Sequence, residues 1–133
     1  MIVLDASTLL ELLLHTPAGE RIGLRISDPA IGLHIPHLTD IEVAQVLRRY
    51  VRDGAIEAVD AAAVLQDLRD LDLQRHAHEP LPDRVWRLRE NLTAYDAVYV
   101  ALAEVLECPL LTCDGKLARA PGLKRRVELI QPS

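Results

Sequence analysis

Alternating strand and helix signatures predict one α/β domain, built on a mostly parallel sheet with helices covering both faces. Three observations point there. Short apolar runs alternate with stretches of helical periodicity. Those runs are apolar at successive positions, as a strand buried on both faces requires. The chain of 133 residues matches one domain, 1–133, and can bury ~65–70% of its unfolded surface without a disulfide or metal staple.

Residues 2–5, Ile-Val-Leu-Asp, read as a short buried strand, and an apolar helical run over 9–14 begins after Ser7. Thr16-Pro17 starts a second helix, with a cap residue and then proline at the first helical position; it fades near Asp28-Pro29. Residues 31–35 form a second strand ended by Pro36. Ile41, Ala44, Leu47 and Val51 recur at helical spacing up to Gly54. From Asp60 another helix places Ala61, Val64, Leu65, Leu68 and Leu71 on one face, and Leu73–His76 follows as a strand. Pro82 opens a helix carrying Val85, Leu88 and Leu92. A longer helix from Thr93 carries Ala97, Val98, Ala101, Leu102 and Val105. Residues 109–113 are a strand, 116–119 a short helix and 127–130 the last strand.

Composition narrows the function classes. Half the chain is apolar and 26% charged, which suits a folded chain and not a disordered one. No apolar run reaches the ~18–20 residues of a membrane span. Asp5 and Glu11 interrupt the hydrophobic N-terminus and no basic residue precedes it, unlike a signal peptide. Cys108 and Cys113 flank an extended stretch that holds them too far apart to bridge, and two free thiols predict a reducing cytoplasm. The net charge of −5 argues against passive coating of nucleic acid. Phe is absent and Tyr50, Trp86, Tyr95 and Tyr99 are the only aromatics, so platforms for base stacking are few.

Ligands of open parallel sheets bind beyond the carboxyl ends of the strands, and acids gather there in this sequence. Asp5 ends the first strand and Asp114 follows the fourth. Glu42 and Asp96 lie in the first turns of their helices. Thr39-x-x-Glu42 and Thr93-x-x-Asp96 also match capping boxes, and Asp114 before Gly115 matches a turn. A structural reading is weaker for Asp5, because a carboxylate beside Val3 and Leu4 is costly to bury without a partner. Four carboxylates at one edge raise one another's pKa and need a cation to stay ionised together. An all-oxygen set selects Mg²⁺ or Mn²⁺ over zinc. Without these four acids the rest of the chain sums to −1, a body that tolerates a polyanion.

The blocks IVLDAST, LTDIEVAQVLRR, NLTAYDAVYVALAE and PLLTCDGKLARAPGL resemble the four acidic blocks of the PIN domain, in order from Ile2 to Leu123. They are most similar to VapC-type ribonuclease toxins of prokaryotic toxin–antitoxin pairs. The resemblance implies a PIN-like three-layer α/β/α sandwich and a Mg²⁺- or Mn²⁺-dependent endoribonuclease. Asp5, Glu42, Asp96 and Asp114 would then be the metal-holding catalytic acids, and Ser7 and Thr112 supporting hydroxyls. In-line attack would leave a 5′-phosphate and a 3′-hydroxyl, by analogy with two-metal nucleases. It further implies an RNA substrate, a homodimer and a VapB-like antitoxin that covers the pocket. Gly115-Lys116 stands where some members carry a further acid.

Lys116 and Arg119, directly after Asp114, are candidate RNA contacts. Arg48, Arg49 and Arg52, and the run Lys124-Arg125-Arg126, read as solvated faces or further phosphate contacts. With so few aromatics, recognition of a folded RNA shape or arginine stacking is expected over base platforms. The five histidines show no metal-ligand spacing; His37 approaches the pocket mouth only if its loop folds that way. The surplus apolarity of residues 9–14 fits a dimer or partner interface. A haloacid-dehalogenase-like phosphatase needs a second Asp two residues after Asp5, where this chain has Ser7. A non-catalytic assembly protein on the same fold would have no need of all four acids.

Overall fold

The computed structural model describes residues 1–131; residues 132 and 133, included in the single-domain expectation, lie outside the described residues. In chain order the elements are β1 (Ile2–Leu4), α1 (Ala6–Leu13), α2 (Pro17–Arg25), β2 (Leu33–Pro36), α3 (Leu38–Arg52) and α4 (Ala58–Asp70). They continue as β3 (Leu73–His76), α5 (Pro82–Arg87), α6 (Ala94–Leu106), β4 (Leu110–Thr112), α7 (Gly115–Ala118) and β5 (Val127–Leu129). The strands form one sheet in the order β3-β2-β1-β4-β5, with every neighbouring pair parallel.

Period-two alternation along the central strands sorts the core into two layers. Val3 and Leu110 face a cluster built from α5, α6 and α7. Ile2, Leu4 and Leu111 face the other, built from α1, α3 and α4. The result is the three-layer α/β/α sandwich that the sequence predicts. Burial of both strand faces holds for β1 and β4 but fails at the edge, where Gln74 and Arg75 of β3 are exposed. An edge strand has one neighbour and less cover, and Arg75 is held instead by Asp40 of α3 at 2.8 Å.

Two local expectations change. Most of the apolar run after Ser7 packs inside the chain, with Leu9, Leu10 and Leu13 buried, while Leu12 and Leu14 keep partial exposure. Helix α2 crosses α1 so closely that a Cβ at Gly19 would lie 2.0 Å from the Glu11 carbonyl oxygen. The helix carrying Glu42 starts at Leu38, and its first turn has no capping side chain of its own. The Leu38 amide instead donates to His78 Nε2 at 2.9 Å, so no Thr39–Glu42 capping box forms. The helix from Pro82 stops at Arg87, and Leu88 and Leu92 reach the core from the turn beyond it.

Strand order positions the site. The chain moves outward from β1 to β2 to β3, then returns past β1 to β4 and β5. The reversal lies between β1 and β4, where carboxyl ends of an open parallel sheet leave a crevice. Helix α6 feeds β4 through residues 107–109, so its C-terminus lies at the amino edge of the sheet. Its N-terminus, with Asp96, is therefore at the carboxyl edge.

Candidate active site at the carboxyl edge of the sheet

Asp5 anchors the crevice. It is 5% exposed and caps α1, accepting from the Thr8 amide at 3.0 Å. Ser7 Oγ donates to its Oδ1 at 2.6 Å, and Thr112 Oγ1 donates to its Oδ2. The two hydroxyls also accept backbone bonds from beyond β4: Cys113 N to Ser7 at 3.0 Å and Asp114 N to Thr112 at 2.9 Å. One carboxylate is thus tied through two relays to the backbone that presents Asp114. Burial raises the Asp5 pKa, while the bonds from Ser7, Thr112 and Thr8 pull it back.

The other three acids surround it. Glu42, on α3, accepts a hydrogen bond from the Tyr99 hydroxyl of α6. Burial raises its pKa and the charges of Asp96 and Asp5 add to the rise, against the lowering effect of Tyr99. Asp96 sits at the third position of α6 behind its cap, Thr93, whose Oγ1 accepts from the Asp96 amide at 3.2 Å. Its pKa rises first through burial, then through the charge of Asp114. Asp114 caps the short α7, accepting from the Lys116 amide at 2.9 Å, so the turn-forming reading and the site reading hold together.

All four acids thus lie at the carboxyl edge, where the charges of Asp96 and Asp5 act on Glu42 and the charge of Asp114 acts on Asp96. Among the described residues, no three His, Cys, Asp or Glu side chains converge tightly enough to cage an ion unaided. The donor set is nevertheless hard. Besides the carboxylates it offers the Ser7 and Thr112 hydroxyls, and the nearest soft donor, Cys113, is held as a thiol. Burial, with Asp5 and Glu11, pushes its pKa up to about 11. Both cysteines are free, as the spacing predicts.

Lys116 and Arg119 are exposed on and just after α7, beside Asp114. The Arg119 guanidinium lies over Gly115, 2.6 Å from where a Cβ would stand. Arg125 and Arg126 are engaged by Glu107 and Glu128, away from the crevice. Arg49 lines a groove of about 610 Å³ between α1 and α3, whose walls include Ser7, Glu42, Tyr50 and Tyr95. His37 is exposed ahead of α3. His34 and His76 bond to each other at 2.8 Å across β2 and β3, and His78 caps α3 from a loop.

Sequence reasoning missed two residues. Tyr99 figures in the sequence only as one of few aromatics, yet it is 2% exposed and a buried phenol needs a polar partner. Its place three residues after Asp96, one turn along the same helix, was the available signal. Tyr95, next to Asp96, was counted only as one of few aromatics.

The PIN domain family model matches residues 2–123. The chain is 38% identical over 130 residues to Ribonuclease VapC12 of Mycobacterium tuberculosis, covering 98% of this chain and 99% of that protein. Among solved structures, PAE2754 from Pyrobaculum aerophilum matches with a TM-score of 0.70 at 27% identity, over 96% of this chain and 82% of that one. VapBC2 from Rickettsia felis, bound to a DNA fragment from its promoter, matches with a TM-score of 0.69 at 13% identity, over 96% and 98% of the two chains. At that identity the likeness concerns the fold alone.

Proposed function

The chain belongs to the PIN-domain family, and from that premise we propose that it is a divalent-metal-dependent endoribonuclease, the toxin of a toxin–antitoxin pair. The observation that carries this reading is the position of Asp5, Glu42, Asp96 and Asp114 at the switch point of the sheet, with Asp5 held there by Ser7 and Thr112 and Glu42 by Tyr99. Acids that raise one another's pKa in partial burial are poised to gain from a cation.

The four carboxylates would hold Mg²⁺ or Mn²⁺, with Ser7 and Thr112 in support. Mg²⁺ commonly keeps several waters and binds through a few carboxylates plus substrate phosphate, which suits an edge where no three acids form a closed cage. Bound there, the metal supplies an activated water and neutralises charge developing on the phosphate. The protein's own contribution is orientation. Ser7, Thr112 and the Thr8 amide fix both oxygens of Asp5. Tyr99 directs Glu42 into the crevice, and the caps at Thr93 and Asp114 set the helix starts that present the remaining acids. Ser7 fills the position where a haloacid-dehalogenase-like phosphatase needs its second acid, and bonds Asp5 instead. Lys116 and Arg119 are the proposed phosphate contacts beside Asp114.

An antitoxin of VapB type is the proposed inhibitor, covering the crevice, as the likeness to VapC ribonucleases implies. A homodimer is proposed on the family likeness, with the partly exposed Leu12 and Leu14 as apolar surface near α1. Partner-free protein incubated with mixed cellular RNA and Mg²⁺ or Mn²⁺ should give discrete cleavage that EDTA abolishes. Asp5→Asn and Asp96→Asn should each lose at least ~100-fold in rate while remaining folded by circular dichroism. Undiminished cutting in both variants would reject the assignment.

A further inference from the structure

We infer that Tyr95 is a base-stacking platform for the nucleotide next to the scissile phosphate, an inference that rests on the ribonuclease reading and names how its substrate is held. Tyr95 is 63% exposed although it directly precedes Asp96 at the N-terminus of α6. With Leu38 it forms a ridge between two hollows. On one side lies the groove of about 610 Å³ whose wall includes Ser7 and Glu42. On the other is a smaller hollow of about 240 Å³, lined by apolar residues and His78.

A strand laid along the groove toward the acids passes this ridge, because Glu42 and Ser7 line the groove as well as the crevice. An exposed ring there offers a base a flat apolar face, and base–aromatic stacking is tolerant of sequence. The groove also holds Arg49, a cation for a neighbouring phosphate, and Gln45, which can donate and accept at a base edge. Ile41, 69% exposed on α3, adds apolar surface to the same wall. The other strongly exposed aromatic, Trp86, lies on α5 outside these hollows with Arg89 over its ring at 4.6 Å. Low aromatic content therefore does not exclude a platform, since one of four aromatics stands exposed beside the acids.

The test compares wild type with Tyr95→Leu and Tyr95→Phe. A fluorescein-labelled single-stranded RNA octamer of mixed sequence gives affinity by anisotropy in EDTA, where no cutting runs. A longer RNA in Mn²⁺ gives KM and kcat. Stacking predicts affinity about tenfold weaker and KM about tenfold higher in Tyr95→Leu, kcat changed less than threefold, and Phe restoring both. An abasic ribose beside the cleavage site should weaken wild type as much as Tyr95→Leu does and add nothing in the variant. Equal affinity and KM in wild type and Tyr95→Leu would overturn the platform and leave the ridge to a protein partner. Tyr95-dependent binding without any cleavage would uphold it while removing the ribonuclease reading.

Discussion

Thr112 has two duties that a methyl group fails to perform. Its hydroxyl donates to Asp5 and accepts from the Asp114 amide. Thr112→Val keeps the shape and leaves both partners short, which should cost ~1–3 kcal/mol in denaturant melts. Activity should fall ~10–100-fold, the usual loss when a group orienting a metal-binding side chain is removed. Tyr99→Phe removes the side-chain hydrogen bond that holds Glu42 and should lower activity by a similar factor. The acids also carry a stability cost. Asp5, Glu42 and Asp96 are all raised above ordinary values of 3.8 to 4.5. A raised carboxylate stabilises the fold while protonated, below its unfolded value, and loses that contribution as pH climbs through its folded value. Asp96→Asn should therefore raise the melting temperature of metal-free protein at pH 7 while abolishing cleavage, a separation that differential scanning calorimetry and an RNA assay would read together.

At the level of elements, α2 is seated on α1 by the absence of a side chain. Gly19 lets the first turn of α2 meet the Glu11 carbonyl, and Thr16 caps that turn by accepting from the Gly19 amide at 3.0 Å. Gly19→Ala should destabilise by ~1–3 kcal/mol through overpacking against backbone, measured by urea unfolding. The link between α5, α6 and the loop before β5 is ionic. Arg84 holds Glu104 at 2.6 Å and donates to the Gly122 carbonyl at 2.9 Å, while Lys124 N donates to Glu104 at 3.2 Å. Although burial opposes it, the bonds from Arg84 and Lys124 leave the Glu104 pKa below its ordinary value of 4.5. Such a group stabilises above its unfolded pKa, and the gain is lost as pH falls through the folded value. Glu104→Gln should lower stability at pH 7 by ~1–3 kcal/mol and flatten the loss below pH 4.5. An unchanged acid limb would remove Glu104 from that account.

For the whole molecule, metal and fold are linked by mass action. A ligand at 100 times its Kd adds ~2.7 kcal/mol to unfolding. Saturating Mn²⁺ should raise the melting temperature by several degrees at pH 7 and by progressively less as pH falls, because the raised carboxylates take up protons sooner than free ones and protons compete with the ion. EDTA should reverse the rise and Asp96→Asn should not show it. A shift of equal size in that variant would place the ion elsewhere. The same crevice is where an antitoxin would compete, so RNA affinity should fall as the partner is titrated in.

Fold class, the central strands and the four acids were legible in the chain, because burial writes a period into sequence and carboxylates at strand ends break it. The capping reading of Glu42 was local and failed; His78, 40 residues away, supplies that cap. The close seating of α2 on α1 was not legible, because it depends on a three-dimensional crossing at Gly19. Tyr99 and Tyr95 were silent for the same reason: one turn of helix sends the first into Glu42 and leaves the second open to solvent. The sequence alone determined which residues carry charge and which are buried by pattern. Tertiary structure decided which of them meet, because contact between distant residues is set by strand order and helix crossing and leaves no mark on local spacing.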